Sequence, residues 1–468
     1  MRGEGTEVEN TPLKFEEKYE EEHKAYGEKV YTALINEDMQ GFRDTFLEMH
    51  PYDQAEFFID QEKEQRITIY SYLSPDEAAE VMINIEVEDT KPYFLEMDPR
   101  FASMVLSEMP ADDAVDILNE LDKEQMVSFL TIMDKEAQSE IKGLLHYEEK
   151  TAGSIMTTEF VSIIKSQTVI EAMRHIKEVA PDAETIYYLY VLDDAKRLVG
   201  VVSLRDIIVS SDTTLIEEIM SEKVVAVSVA KDQEDIAQMF RDYDFLALPV
   251  VDFQDHLLGI ITVDDILDVM EEEASEDFSK LAGMSETERP KDNAFISAKK
   301  RLPWLVILLF MGMVTASLIG QFEETLNQVA VLAIFIPLIA GMAGNTGTQA
   351  LAVAIRGITT GDYTEEGKVK IILREAGTGV ITGFVCGILI CLIIFIWKGD
   401  IFLGLLVGVS IMASLIVATI AGSLVPIIMD RFNIDPAVAS GPFITTINDI
   451  ISILIYFGMA TTFMGYLM

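Results

Sequence analysis

From Leu302 to its end the chain reads as five apolar stretches, about 302–320, 329–355, 375–397, 401–429 and 442–467. Each is long enough to cross a bilayer as a helix. In hydrocarbon a backbone must satisfy its own polar groups, so stretches of this length predict a membrane domain of five α-helical spans over 302–468. Lys and Arg near the span ends set the orientation. Lys280, Arg289, Lys291, Lys299, Lys300, Arg301, Arg356, Lys368, Lys370, Arg374 and Arg431 fall on one side, and Lys398 alone on the other. The expectation is a multi-pass protein of the plasma (inner) membrane with its N-terminus in the cytoplasm and its C-terminus outside.

Residues 302–468 carry ten acids and six bases, so of the whole-chain charge of −43 the first 301 residues hold −39. Phosphate backbones need clustered Lys and Arg, so nucleic acid is excluded as a partner and cations are favoured. Cys386 and Cys391 lie five apart within one span, which excludes a disulfide between them. The N-terminus is acidic and polar, without an apolar signal segment.

The cytoplasmic part divides by pattern. Residues 1–25 read as a flexible acidic tail. Over 26–150 the pattern is helical and repeats: Pro51, Pro75 and Pro99 stand 24 residues apart, each at a helix-start signal, with echoes from Pro110, Asp122 and Asp134. Pro suits a first helical turn, where its missing N–H is not needed. Short helices at a fixed period predict an all-α superhelical domain. A second repeat covers 151–270. GSIMTTEFVSI matches EEIMSEKVVAV, and YVLDDAKRLVGVVSLRDII matches PVVDFQDHLLGIITVDDIL. Gly200 and Gly259 are read as letting the chain turn into the last strand of each copy. Ser203-x-x-Asp206 and Thr262-x-x-Asp265 mark the helix starts that follow. This duplicated α/β pattern resembles a pair of CBS domains, which usually act as regulatory modules for adenosine nucleotides or metal ions.

The segment 271–301 is read as an acidic stretch and connecting helix. From Asp264 to Asp277 there are eight acids and no base. On a helix Asp265 and Asp268 share a face, as do Glu273, Glu276 and Asp277, and like charges that close need a cation or a basic surface.

Within the spans, the glycines of the third (Gly379, Gly383, Gly387) and fourth (Gly404, Gly408) read as close helix packing. The second is different: Pro337, Gly341, Gly344 and Gly347 accompany Asn345, Thr346, Thr348 and Gln349. It is read as a Gly-broken, polar pore lining, because broken backbone survives in a membrane only beside protein or water. In the fifth span Asp449 sits about seven residues in, roughly 10 Å from the cytoplasmic end. No Lys or Arg lies at matching depth. Its partner is a permeating cation, a proton, or a hydrogen bond to Asn448 or Thr446. One acid per chain suits Mg²⁺, which sheds water reluctantly and uses one or two carboxylates; two facing chains supply two. Carbonyls freed at Gly441-Pro442 and along the second span are read as holding the ion's waters.

PLIAGMAGNTGTQ in the second span, Arg374-Glu375 opening the third and SGPFITTINDI in the fifth resemble the MgtE family of magnesium channels and transporters, and the domain order matches over nearly the whole chain. The resemblance implies a homodimer in the lipid bilayer, with a pore on its axis lined by the second and fifth spans (Gly341, Gly344, Asn345, Gly347, Gln349, Gly441, Pro442) and Asp449 as the ion-selective acid. It implies regulatory Mg²⁺ at Glu80, Asp112 and Asp116, at Asp232, Glu234 and Asp244, at Asp265 and Asp268, at Glu273, Glu276 and Asp277, and at Asp435. It also implies ATP at the CBS pair, on Tyr188, Arg205 and Asp206. An enzyme is not expected: none of the five histidines lies in a span, and an aspartyl protease needs two intramembrane acids where each chain has one. The alternatives are a nucleotide-sensing membrane receptor without transport, and transport of Co²⁺ or Mn²⁺ instead.

Overall fold

The structure, a computed structural model, describes residues 26–289, 291–359, 365–432 and 434–467. The expected acidic tail at 1–25 lies outside them. The described chain forms two compact units, up to Leu267 and from Asp268 on.

The first unit is built of short helices: after Met39–Phe46, of eight residues, each has nine or ten as far as Leu144. Pro51, Pro75 and Pro99 each occupy the first helical position, in Pro51–Ile59, Pro75–Ile83 and Pro99–Ser107. Between them lie Lys63–Tyr72 and Val87–Glu96; beyond them come Ala111–Asn119, Lys123–Ile132 and Lys135–Leu144. Reciprocal caps define several starts: Ser74 with Glu77, Glu62 with Gln65, Asp122 with Gln125. Alternate helices pack on one another, so the repeat builds two layers around a continuous apolar core. Arg43 on Glu77 and Arg66 on Glu96 tie helices together at 2.6 and 2.8 Å.

Two three-stranded sheets follow, β1 Phe160–Ile164, β2 Thr185–Leu192 and β3 Leu198–Ser203, then β4 Val227–Ser228, β5 Ala247–Val251 and β6 Leu257–Thr262. In each the first strand pairs parallel to the second, which pairs antiparallel to the third. Gly200 and Gly259 do not turn the chain, because neither has a positive φ. They sit inside β3 and β6 where neighbours crowd: an added Cβ would stand 2.6 Å from Met220 Sδ or 2.6 Å from the Thr157 carbonyl.

The second unit holds five helices long and apolar enough to span: Ala294–Gln321, Ala330–Thr359, Val369–Lys398, Ile401–Arg431 and Gly441–Thr462. The first runs back to an Asn293 cap, taking in Lys299, Lys300 and Arg301, and buries no residue. The expected break in the second span lies elsewhere. Residues 336–359 form one uninterrupted α-helix through Gly341, Gly344 and Gly347, so the carbonyls there are not freed. The irregular turn precedes it, in the 3₁₀ segment Ala330–Phe335, where the buried Tyr456 hydroxyl donates to the Leu332 carbonyl at 3.0 Å. The third and fourth spans pack backbone to backbone. A Cβ on Gly387 would lie 2.7 Å from the Gly408 carbonyl, and one on Gly383 2.9 Å from that of Met412.

Candidate ion pathway and cation-sensing sites

The glycines of the second span make room for the fifth. A Cβ on Gly344 would meet Thr445 at 2.7 Å, and one on Gly347 would overlap the Asn448 side chain. The two helices therefore cross at Thr445 and Asn448, and Asn448 is 1% exposed. Asp449 is the next residue round the helix, half-buried, and its Oδ1 has no hydrogen-bond partner. On the other side of the second span, Gly341, Asn345 and Gln349 recur every four residues and are all exposed. This polar stripe lies on a helix that is otherwise fit for lipid. Gly441 is buried and Pro442 partly so, below a Ser440 cap; Gly441 lies between Thr348 and the Leu281 carbonyl. At the start of the third span Glu375 is 7% exposed and accepts from Arg374 at 3.1 Å.

In the first unit, acids from distant segments converge. Asp112 and Asp113 occupy the first turn of Ala111–Asn119, with Asp116 one turn on. Glu159, Glu184 and Asp265 lie close enough to act on Asp112 or Asp113 electrostatically, and Asp264 acts on Glu184. Burial, then Asp113 and Asp265, hold the Asp112 carboxyl well above the usual carboxylate range, and its Oδ1 is buried without a partner. Burial and Asp265, ahead of Asp116, Glu184 and Glu159, push Asp113 up to about 7. Burial and Asp265 also raise Glu184. Sequence reasoning included Asp112, Asp116 and Asp265 but missed Asp113, Glu159 and Glu184. A buried carboxylate oxygen among like charges suits a cation.

The expected grouping of Asp232 and Glu234 with Asp244 is not brought together. Asp232 caps the helix Gln233–Tyr243 by accepting from the Glu234 N–H at 2.9 Å, while Asp244 closes its far end in the left-handed region. Eleven residues of helix between them hold Asp244 about 18 Å away. Glu80 is exposed on Pro75–Ile83. In the second unit Glu273, Glu276 and Asp277 lie along Val263–Leu281, with Asp268 exposed a turn earlier, and Asp435 approaches their end through Lys280. Burial and Asp435 push Asp277 up to about 6. Among the described residues, no three His, Cys, Asp or Glu are grouped to hold one metal ion. In the first CBS-like copy, Tyr188 pairs with Ser203 across β2 and β3, and the Ser203 hydroxyl donates to Asp206 at 2.6 Å. Arg205 beside it is exposed. In the second copy the Thr262 hydroxyl donates to Asp265 in the same way.

Comparison with known proteins decides the family. Residues 336–459 match MgtE, described as a divalent cation transporter, 49–150 match the MgtE intracellular N domain, and 152–211 and 216–272 match CBS domains. Magnesium transporter MgtE of Enterococcus faecalis is 50% identical over 93% of this chain and 96% of its own length. That of Bacillus subtilis is 39% identical over the same shares.

The chain belongs to the MgtE family.

It is accordingly a multi-pass membrane protein of a transporter family, not an enzyme. The crystal structure of the cytosolic domain of the Mg²⁺ channel MgtE in complex with ATP matches with a TM-score of 0.50 at 38% identity, over 52% of this chain and 99% of that one. Within the MgtE fold, the raised carboxyls make a pH prediction for the cytosolic part. An acid raised in the fold binds protons more tightly there than when unfolded. Its contribution to stability is full below the ordinary carboxylate range near 4 and is lost as pH rises through about 7 for Asp113. Without divalent ions, the melting temperature of residues 26–281 should fall by several degrees between pH 5.5 and 8. Mg²⁺ should flatten that fall, and Asp113→Asn should shrink it. An equal slope in the variant would contradict the assignment.

Proposed function

We propose that this chain is a Mg²⁺-selective channel of the plasma membrane. It works as a homodimer, with its N-terminus in the cytoplasm, its C-terminus outside, and a pore on the dimer axis lined by the second and fifth spans. Asp449 carries this reading, as a carboxylate oxygen at membrane depth without a partner. Leaving such a group uncompensated costs several kcal/mol, and intramembrane acids mark ion paths. The uncovered stripe of Gly341, Asn345 and Gln349 supports the dimer axis, since polar side chains at that depth need water or a second chain. Gly344 and Gly347 act as spacers that let the Asp449 helix come close. Mg²⁺ passes hydrated, its waters held by the Asn345 and Gln349 amides and by the carboxylates of two protomers. The close relatives bear the name magnesium transporter, which favours Mg²⁺ over Co²⁺ or Mn²⁺ as the cargo.

Cytoplasmic Mg²⁺ closes this pore. The residues that fit the regulatory ion best are Asp112, Asp113, Asp116 and Asp265, where a buried oxygen lacks a partner, and Glu273, Glu276, Asp277 and Asp435 near the fifth span. Asp268 and Glu80 stand as outlying ligands, and Asp232 with Glu234 as a site separate from Asp244. One or two carboxylates and several waters suffice for each Mg²⁺. ATP binds the first CBS copy, with Asp206 on the ribose hydroxyls, Arg205 near the phosphates and Tyr188 beside the base; the ATP complex of the related cytosolic domain supports this. Titrating ATP into the cytosolic part should give binding that Asp206→Ala abolishes. Equal binding in the variant would remove Asp206 from the site.

The test of the function is growth. In a strain lacking Mg²⁺ uptake, the wild-type chain should restore growth at low external Mg²⁺. Failure to rescue, with the protein present in the membrane, would favour a sensing receptor without transport.

A further inference from the structure

The acid run ending at Asp277 has its nearest base one turn on, at Lys280. The Lys280 ammonium stands 2.5 Å from Glu276 on its own helix and 2.5 Å from Asp435, just ahead of the fifth span. The ammonium thus bridges two carboxylates from separate segments of the chain. Asp277, half-buried, is near enough to feel both Asp435 and Lys280. Two carboxylates thus hold one ammonium, with a third close by. The helix ends at Leu281, and the chain turns at Gly283, in the left-handed region at φ 80°, where an added Cβ would lie 3.2 Å from the Pro442 ring. The Leu281 carbonyl faces Gly441. The helix end that carries Lys280 is therefore seated on the first turn of the helix that carries Asp449.

We propose that Lys280 is a tethered cation that fills the charge position of a divalent ion among Glu276, Asp277 and Asp435, and so sets the Mg²⁺ concentration at which this helix locks onto the fifth span. The proposal rests on the reading above, that these acids take regulatory Mg²⁺. Without metal, the ammonium cancels one of three negative charges and keeps the helix end near Asp435. A divalent ion has to displace it or share the site with it. The four-carbon stem lets the ammonium swing aside into water, where it remains as a nearby like charge. A positive charge about 5 Å from the ion, screened by solvent, weakens binding by on the order of tenfold. Lys280 then acts as a positioning residue that raises the threshold for closure and keeps weak binding from shutting the pore too early.

The test uses the full-length protein in lipid nanodiscs with Mg²⁺ alone as the probe, reading hydrogen exchange of the amides over 276–284. In the wild type, protection should rise with Mg²⁺. In Lys280→Gln, metal-free exchange should be faster and the Mg²⁺ midpoint should fall about tenfold, because the competing charge is gone. Lys280→Arg, which keeps the charge, should hold the wild-type midpoint. Simple structural damage would raise the midpoint, not lower it. A midpoint in Lys280→Gln that is unchanged or higher, with the wild-type response intact, overturns the proposal and leaves the Mg²⁺ reading standing. No Mg²⁺-dependent protection in the wild type overturns both.

Discussion

Asp449→Asn should lower Mg²⁺ current by about a hundredfold while the dimer still assembles. The substitution keeps the size and shape of the side chain, so the helix crossing at Gly347 and Asn448 is untouched. Only the charge is lost. A carboxylate about 5 Å from a divalent ion, at an effective dielectric of about 40, contributes about 3 kcal/mol to holding it. Losing that amount is roughly a hundredfold in occupancy. Discrimination against monovalent ions should fall with it, because the amides of Asn345 and Gln349 orient water around any cation. Gly347→Ala should also lose current, but by a different route. Its methyl group overlaps the Asn448 side chain, so the fifth span has to move, and assembly should suffer together with flux. Wild-type current and selectivity in Asp449→Asn would remove the acid from the pathway.

The second large effect concerns closure. Changing Asp113, Asp265 and Asp277 together to Ala should give a channel that keeps conducting at cytoplasmic Mg²⁺ concentrations that shut the wild type. The three are chosen because burial and like charge raise Asp113 and Asp277, and Asp265 raises its neighbours. A metal ion bound there replaces repulsion with bridging, so it favours the compact state and shifts the population toward it. Moving a gate from 1:99 to 99:1 takes roughly 5.5 kcal/mol, which several weak carboxylate sites supply together and which makes the response steep. Neutralising the three acids removes some repulsion as well. The remaining charge of the first 301 residues, −39 less these three, still drives the acidic surfaces apart, so the expected resting state is open. Recordings in which the triple variant closes at the wild-type Mg²⁺ concentration would make these acids solvating surface and put the gate elsewhere.

What the sequence made legible was local. Proline at a first helical turn, an acid three residues after a Ser or Thr, and an apolar run too long for a soluble core each act within a few residues of themselves. The helices starting at Pro51, Pro75 and Pro99, the Ser203 cap, the Thr262–Asp265 bond at the next helix start, and the spans follow from such signals. Asp449 was legible because its oddity, a charge in an apolar helix, is local too. The acid cluster was only half visible. Glu159 and Glu184 flank loops and strands of the first CBS-like copy, and nothing near them in the sequence points to the helix that carries Asp113. Glycine roles were misread for a related reason. Gly200, Gly259, Gly344 and Gly347 look like chain breaks, but each is small because a distant segment presses on it, and small size carries no label for the neighbour. Lys280 was counted toward membrane orientation, and its position between Glu276 and Asp435 emerges only when the fifth span is placed.

Purified chain in liposomes containing a Mg²⁺-sensitive dye puts the central claim to direct measurement, with wild type and Asp449→Asn oriented alike and the face bearing the cytosolic domains held at low and then high Mg²⁺. The account predicts fast Mg²⁺ movement through the wild type at low cytosolic-side Mg²⁺, little at millimolar concentrations, and about a hundredfold less through Asp449→Asn under either condition. Equal flux through wild type and Asp449→Asn, or a wild-type flux that does not respond to Mg²⁺ on the cytosolic face, would contradict it.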